Sequence, residues 1–158
     1  MNQFESGGTA MSGKVAGLWV KRMKRGPMDA VKSAEFLADQ GIVHNADQRG
    51  KRQVTVIEQE VWQDLMDRFG SRLPPETRRA NVMTENVSLQ GKRGQILRLG
   101  EVQIKLLGET KPCERMDEAL PGLKQAMVDH ERGGLYGVIL NSGTVHIHDT
   151  ATFEEGSR

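Results

Sequence analysis

The chain has 158 residues, 37% of them hydrophobic and 27% charged, proportions that suit one soluble domain with a sizeable core. Its 22 basic and 21 acidic side chains nearly cancel, so net charge excludes no partner, while a single cysteine excludes an internal disulfide and fits a reducing compartment. No apolar run approaches the ~20 residues of a membrane span, and the first residues lack the basic and apolar stretches of a signal peptide. A cytoplasmic protein without membrane contact is expected. Residues 1–13 read as a flexible tail, 14–154 as a single domain and 155–158 as a short C-terminal tail.

Lys14–Arg22 sets Val15, Leu18 and Val20 among small or polar residues and is expected as a first strand, followed by a Gly26-Pro27 turn. Met28–Gln40 carries Met28, Val31, Ala34, Phe36 and Leu37 near helical spacing, with Gly41 as a C-cap. Arg52–Ile57 is alternating and β-branched, the mark of a strand. Glu58–Gly70 spaces Val61, Trp62, Leu65, Met66 and Phe69 three and four apart, a helix stopped by Gly70. After Pro74-Pro75, short strands are expected at Ala80–Thr84, Ile96–Leu99 and Val102–Leu107. Leu120–His130 follows as a short helix with Pro121 in its first turn. Strands at Leu135–Leu140, Thr144–His148 and Thr150–Glu154 finish the chain, the first two joined as a hairpin by Asn141-Ser142-Gly143. Short strands, glycine-rich turns and two or three helices predict a mostly β (α+β) fold, a barrel or sandwich with helical additions.

The densest chemistry lies at Gly108-Glu109-Thr110-Lys111-Pro112-Cys113-Glu114-Arg115, between a strand and a helix. Pro112 stiffens this loop and biases Lys111 toward extended backbone. Lys111 and Arg115 flank Cys113; such cations favour the thiolate, the form that attacks electrophiles and binds soft metals, while Glu114 works against it. On these residues alone, a reactive thiol and an inert packed one both stand. Arg78 and Arg79 would point to opposite faces of the strand they precede. One could then serve a buried anion through its planar, bidentate donors while the other meets water; a plain surface pair is the alternative. Arg49-Gly50-Lys51-Arg52 is a basic turn entering a strand, with Asp47 close enough in sequence to orient one of its cations.

His146 and His148 would share a strand face, yet no further ligand stands at a recognisable spacing, so no metal site is expected. A cysteine–histidine hydrolase would pair Cys113 with His44, His130, His146 or His148, residues that meet only in space. The chain has no Walker-type phosphate loop and no dinucleotide fingerprint.

A further pattern emerges from the order of these motifs. A glycine-led segment, Gly41 to Asp47, runs toward Arg52-Gln53-Val54; after a helix comes Arg78-Arg79-Ala80-Asn81, then an apolar strand into Thr110-Lys111-Pro112-Cys113-Glu114-Arg115. Pro121-Gly122 precedes a helix, and Gly133–Val138 and Gly143–Asp149 close the chain. Together these pieces resemble the MOSC domain, the family named after the C-terminal domain of molybdenum cofactor sulfurase. The resemblance implies a MOSC-like β-barrel with two or three peripheral helices. It implies Cys113 as a sulfur carrier or molybdenum contact. Arg52, Arg78 and Arg79, with Asn81, would face the phosphate of a molybdopterin-type cofactor, and Thr110, Lys111 and Arg115 would shape the loop. Two departures stand out: Asn45-Ala46-Asp47-Gln48 replaces a frequent Gly-Asp-x-His run, and His148 replaces a common glycine, where its bulk could narrow the pocket mouth.

The resemblance therefore implies a molybdenum-cofactor-related domain: a sulfur-transfer protein, or a component of a molybdenum-dependent reductase acting on N-hydroxylated compounds. The sequence contains no aminotransferase-like or redox domain, so a cysteine desulfurase or a reductase is the expected partner. The alternative is a non-catalytic anion or nucleic-acid binding module using the basic N-terminal half. With only 4% aromatic residues there is little for bases to stack on, so nucleic acid is not the expected partner.

Overall fold

Alternation of apolar and polar residues organises the fold. In the strand Val102–Glu109, Val102, Ile104, Leu106 and Gly108 are buried and the residues between them are only partly so. A computed structural model describes residues 13–129 and 132–154. Its strands are β1 (Lys14–Lys21), β2 (Met28–Ala30), β3 (Ser33–Leu37), β4 (Gly41–Ile42), β5 (Val54–Glu58), β6 (Val82–Glu85), β7 (Ile96–Leu99), β8 (Val102–Glu109), β9 (Leu135–Ile139), β10 (Gly143–His146) and β11 (Ala151–Phe153). Helices α1 (Gln59–Phe69), α2 (Glu114–Ala119) and α3 (Leu123–Val128) and a 3-10 turn (Pro75–Arg78) complete the list.

Eight strands form one sheet in the order β11-β7-β8-β9-β5-β6-β1-β2, and three form a second, β10-β3-β4. All pairs are antiparallel except β5 with β6, where Val56 aligns with Val82. A parallel pair needs a crossover, and α1 with the 3-10 turn supplies it. The main core lies within the strands: Val54, Val56, Leu97, Leu99, Ile104 and Leu106 are each fully buried. A second cluster joins Trp62, Leu65 and Met66 of α1 to Met116 of α2 and to Leu123 and Met127 of α3. The element that follows Cys113 is thereby fixed to α1.

The fold is mostly β, as the sequence predicts, but the barrel is not closed by a continuous ladder. β11 has three residues, all of which ladder with β7. The two meet through an isolated bridge between Lys14 and Thr150, helped by Val15 N–H to Asp149 O (2.9 Å). Gly13, expected in the tail, is buried, and its carbonyl accepts from Ala151 N–H at 2.9 Å. The rest of both expected tails, residues 1–12 and 155–158, lies outside the described residues.

Three local expectations are corrected. Met28–Gln40 is not a helix but two strands: Met28–Ala30 pairs with Trp19–Lys21, and Ser33–Phe36 pairs with Gly143–His146. Its helical spacing is carried by few apolar residues, of which only Phe36 is fully buried, and pairing with distant strands overrides it. Gly41 accordingly opens β4 rather than capping a helix. The expected Leu120–His130 helix begins only at Leu123, because Gly122 turns at φ +89 after Pro121; α2, ahead of it, was not expected, and His130 lies outside the described residues. β9 and β10 belong to different sheets and form no hairpin. Asn141 between them is drawn to the β7–β8 turn instead, donating to Glu101 O (2.8 Å) and accepting from Gln103 N–H (2.7 Å).

Candidate functional site

The site grows from a close approach of two backbones. Thr110, just past β8, donates its N–H to Gly134 O (2.9 Å) at the start of β9. A Cβ on Gly133 would lie 2.2 Å from Thr110 O, and Gly134 sits at φ +92, so only glycines permit this contact. Into the crowded corner reaches Arg78, 7% exposed, whose Nη2 donates to both Thr110 O and Gly133 O at 2.7 Å. Burial lowers its pKa to about 10, opposed by attraction from Cys113 and reinforced by repulsion from Arg52; it stays charged near neutral pH.

Arg78 and Arg79 do separate, though not as neighbours on a strand. Arg78 ends the 3-10 turn and Arg79 is left-handed, at φ +63. That twist sends the Arg79 Nη2 to Gly26 O (2.6 Å) in the β1–β2 turn. Its pKa is lowered by burial and by the nearby Arg115, against the pull of Cys113 and Asp47. Asn81 is buried and fully engaged: its Nδ2 donates to Trp19 O (3.2 Å) and Asn45 Oδ1 (3.1 Å), and its Oδ1 accepts from Thr55 N–H (3.1 Å).

These residues surround a cavity of about 340 Å³, a size at the lower end of small-molecule sites. All eight residues singled out from the sequence line it: Cys113, Arg52, Arg78 and Arg79, and with them Asn81, Thr110, Lys111 and Arg115. Lys21, Asp47, Thr55, Met28 and Met116 line it too. The wall thus carries six cations and one carboxylate, and that carboxylate, Asp47, is paired with Lys21 at 3.0 Å. Asp47 was expected beside a cation of the 49–52 turn; Lys21, on the neighbouring strand, holds it instead. Arg52 stacks on Tyr136, its guanidinium carbon 4.9 Å from the ring centroid, a partner that sequence spacing gave no means to find.

Cys113 is exposed at this cavity and stands at the N-cap of α2 without a side-chain capping bond. Two buried polar atoms of the wall have no partner, Arg78 Nε and Thr110 Oγ1. Of the histidines weighed as thiol partners, His44 lines a separate cavity of about 250 Å³. His146 bonds within its own turn to Asp149, and His148 is exposed in a left-handed turn (φ +76) after β10, not on a strand face with His146. That backbone explains a glycine preference there; His148 is not part of the cavity wall. Among the described residues no three of His, Cys, Asp and Glu gather to hold a metal ion, and no helix is long and apolar enough to cross a membrane.

A family model described as the MOSC domain matches residues 33–152. Among solved structures, the YuaD protein from Bacillus subtilis superposes with a TM-score of 0.72 at 20% identity, covering 89% of this chain and 94% of that one. YiiM from Geobacillus stearothermophilus gives 0.72 at 15% identity, over 90% of this chain and 75% of that one. YiiM from Escherichia coli gives 0.70 at 16% identity, over 92% and 70% respectively. At such identities the likeness is one of fold. No curated protein sequence matches the chain.

Proposed function

The chain belongs to the MOSC domain family, and on that premise we propose that its cavity holds a phosphate-bearing, molybdopterin-type cofactor with Cys113 as the sulfur contact. One observation carries this reading: six cations and the chain's only cysteine line one cavity, in which Arg78 Nε and Thr110 Oγ1 are buried without partners. Leaving a buried polar group unpaired costs roughly 1–3 kcal/mol, which an anionic ligand oxygen would recover. The donor set fits such a group: guanidinium and hydroxyl donors suit phosphate oxygens, and a thiol suits molybdenum. When bound, the cofactor supplies redox chemistry at molybdenum.

The chain's own residues do the rest. Arg78, anchored on two carbonyls, and Arg79, anchored on a third, present fixed positive charge with little conformational freedom left to lose. Arg52, Lys111 and Arg115 add exposed charge, and the Asn81–Thr55 hydrogen bond ties together two residues of the wall. In its most concrete form the reading has this domain reduce N-hydroxylated compounds with electrons from a separate protein, or pass sulfur received from a cysteine desulfurase through Cys113.

The test is expression in a host that makes molybdenum cofactor, anaerobic purification, and assay of molybdenum and pterin in wild type and Cys113→Ala. Wild type is expected to carry both, and the variant to lose most of its molybdenum. Wild type lacking both would sink the cofactor reading; equal contents in the two proteins would remove Cys113 as a contact.

A further inference from the structure

We propose that the rim of the cavity is a docking surface for an acidic protein, an interaction beyond ligand binding inside the cavity and independent of it. Two turns build the rim. The β1–β2 turn carries Arg22, Met23, Lys24 and Arg25 between Lys21 and Met28, both of which line the cavity. The second carries Arg49 and Lys51 between Asp47 and Arg52, which line it as well. Both are tied down, the first by Arg79 Nη2 to Gly26 O (2.6 Å) and the second by Gln53 Nε2 to Gly50 O (3.0 Å). Lys111 and Arg115 complete the rim on either side of Cys113 in sequence.

Most of the rim's cations are without an ion pair among the described residues. Arg22 is neutralised by Asp29 at 2.9 Å. Lys24, Arg25, Arg49, Lys51, Lys111 and Arg115 are exposed and, among the described residues, form no ion pair. Like charges crowded around one mouth repel each other, and a carboxylate-rich partner relieves that repulsion while steering itself in. Protein suits the surface better than nucleic acid. Neither turn nor the cavity wall presents an aromatic face on which a base could stack. The rim's apolar element is instead Met23, 65% exposed, an adaptable side chain of the kind enriched at protein interfaces. A partner seated there meets the exposed Cys113 at the same mouth.

Fluorescein-labelled poly-glutamate is a direct probe, titrated with the full chain by anisotropy at low and high salt. Binding should weaken as salt rises. It should fall about tenfold or more in the triple variant Lys24→Glu, Arg25→Glu, Lys51→Glu, while Arg68→Glu with Arg72→Glu, on and just past α1, binds like wild type. The rim variant should keep the wild-type thermal midpoint and the wild-type molybdenum and pterin content, so loss of docking and loss of cofactor are told apart. Equal loss in both variants, or no loss in the rim variant, overturns the proposal. So does tighter rim-dependent binding of a thymidine oligonucleotide, or of phosphatidylserine vesicles, than of poly-glutamate.

Discussion

At the scale of single residues, Arg78 has two tasks that pull in different directions. It holds the carbonyls of Thr110 and Gly133 through Nη2, and its Nε, buried without a partner, is a donor left for a ligand. Lysine would keep the charge but not the planar fork. Arg78→Lys should therefore lower stability by about 1–3 kcal/mol in urea titrations, the cost of a buried carbonyl left unpaired, and should abolish binding of inorganic phosphate. Tyr136 acts at one remove, by carrying Arg52 on its ring. Tyr136→Leu should weaken phosphate binding by the few-fold that ~0.5–1 kcal/mol of cation–π attraction represents, and Tyr136→Phe should restore it. If both variants bind as tightly as wild type, the stacking does not position Arg52. A phenylalanine that fails as leucine does would point instead to the hydroxyl.

At the scale of elements, the start of α1 holds the chain that follows β6. Glu58 Oε2 accepts from Leu89 N–H (3.0 Å) and Glu60 Oε2 from Asn86 N–H (2.9 Å). The Glu58 pKa is raised, chiefly by burial and further by Glu60, against the Leu89 hydrogen bond. A carboxyl with a raised folded pKa binds more protons folded than unfolded, so its contribution to stability falls as pH rises through the window above the unfolded value. Glu58→Gln, which keeps an acceptor for Leu89, should gain thermal stability over wild type on going from pH 4 to pH 7. A constant difference between the two would show that Glu58 does not titrate in that range. The same elements show what sequence reading reaches. The α1 stripe and the β8 alternation are legible because each buries one face, with the matching period of 3.6 or 2. Met28–Gln40 is not, because its strand character comes from partners at Trp19–Lys21 and Gly143–His146 that no local window contains.

At the scale of the whole molecule, the cavity gathers all eight candidate site residues, while Lys21 in its wall and Tyr136 beneath Arg52 escaped because pairing across strands, not spacing, brings them there. The seam between β1 and β11 is a further property of the whole chain. A Cβ on Gly13 would meet Val87 Cγ2 at 2.1 Å and Ala151 O at 2.3 Å. Gly13→Ala should cost about 1–3 kcal/mol through overpacking and speed hydrogen exchange at the Ala151 and Val15 amides first. Unchanged exchange there would mean that the seam does not hold the sheet edges together.

The sheet order also sets a timetable. β9 fits between β5 and β8, and Leu135 pairs with Val56 across half of the chain's length. Pairings this distant in sequence make folding slow, in the range of milliseconds to seconds. The Arg78 guanidinium has nothing to grip on one side until Gly133 has been synthesised and brought home. The cavity wall is thus incomplete until Gly133 is in place, and an anion that needs Arg78 in its final position can bind only to a chain made at least that far.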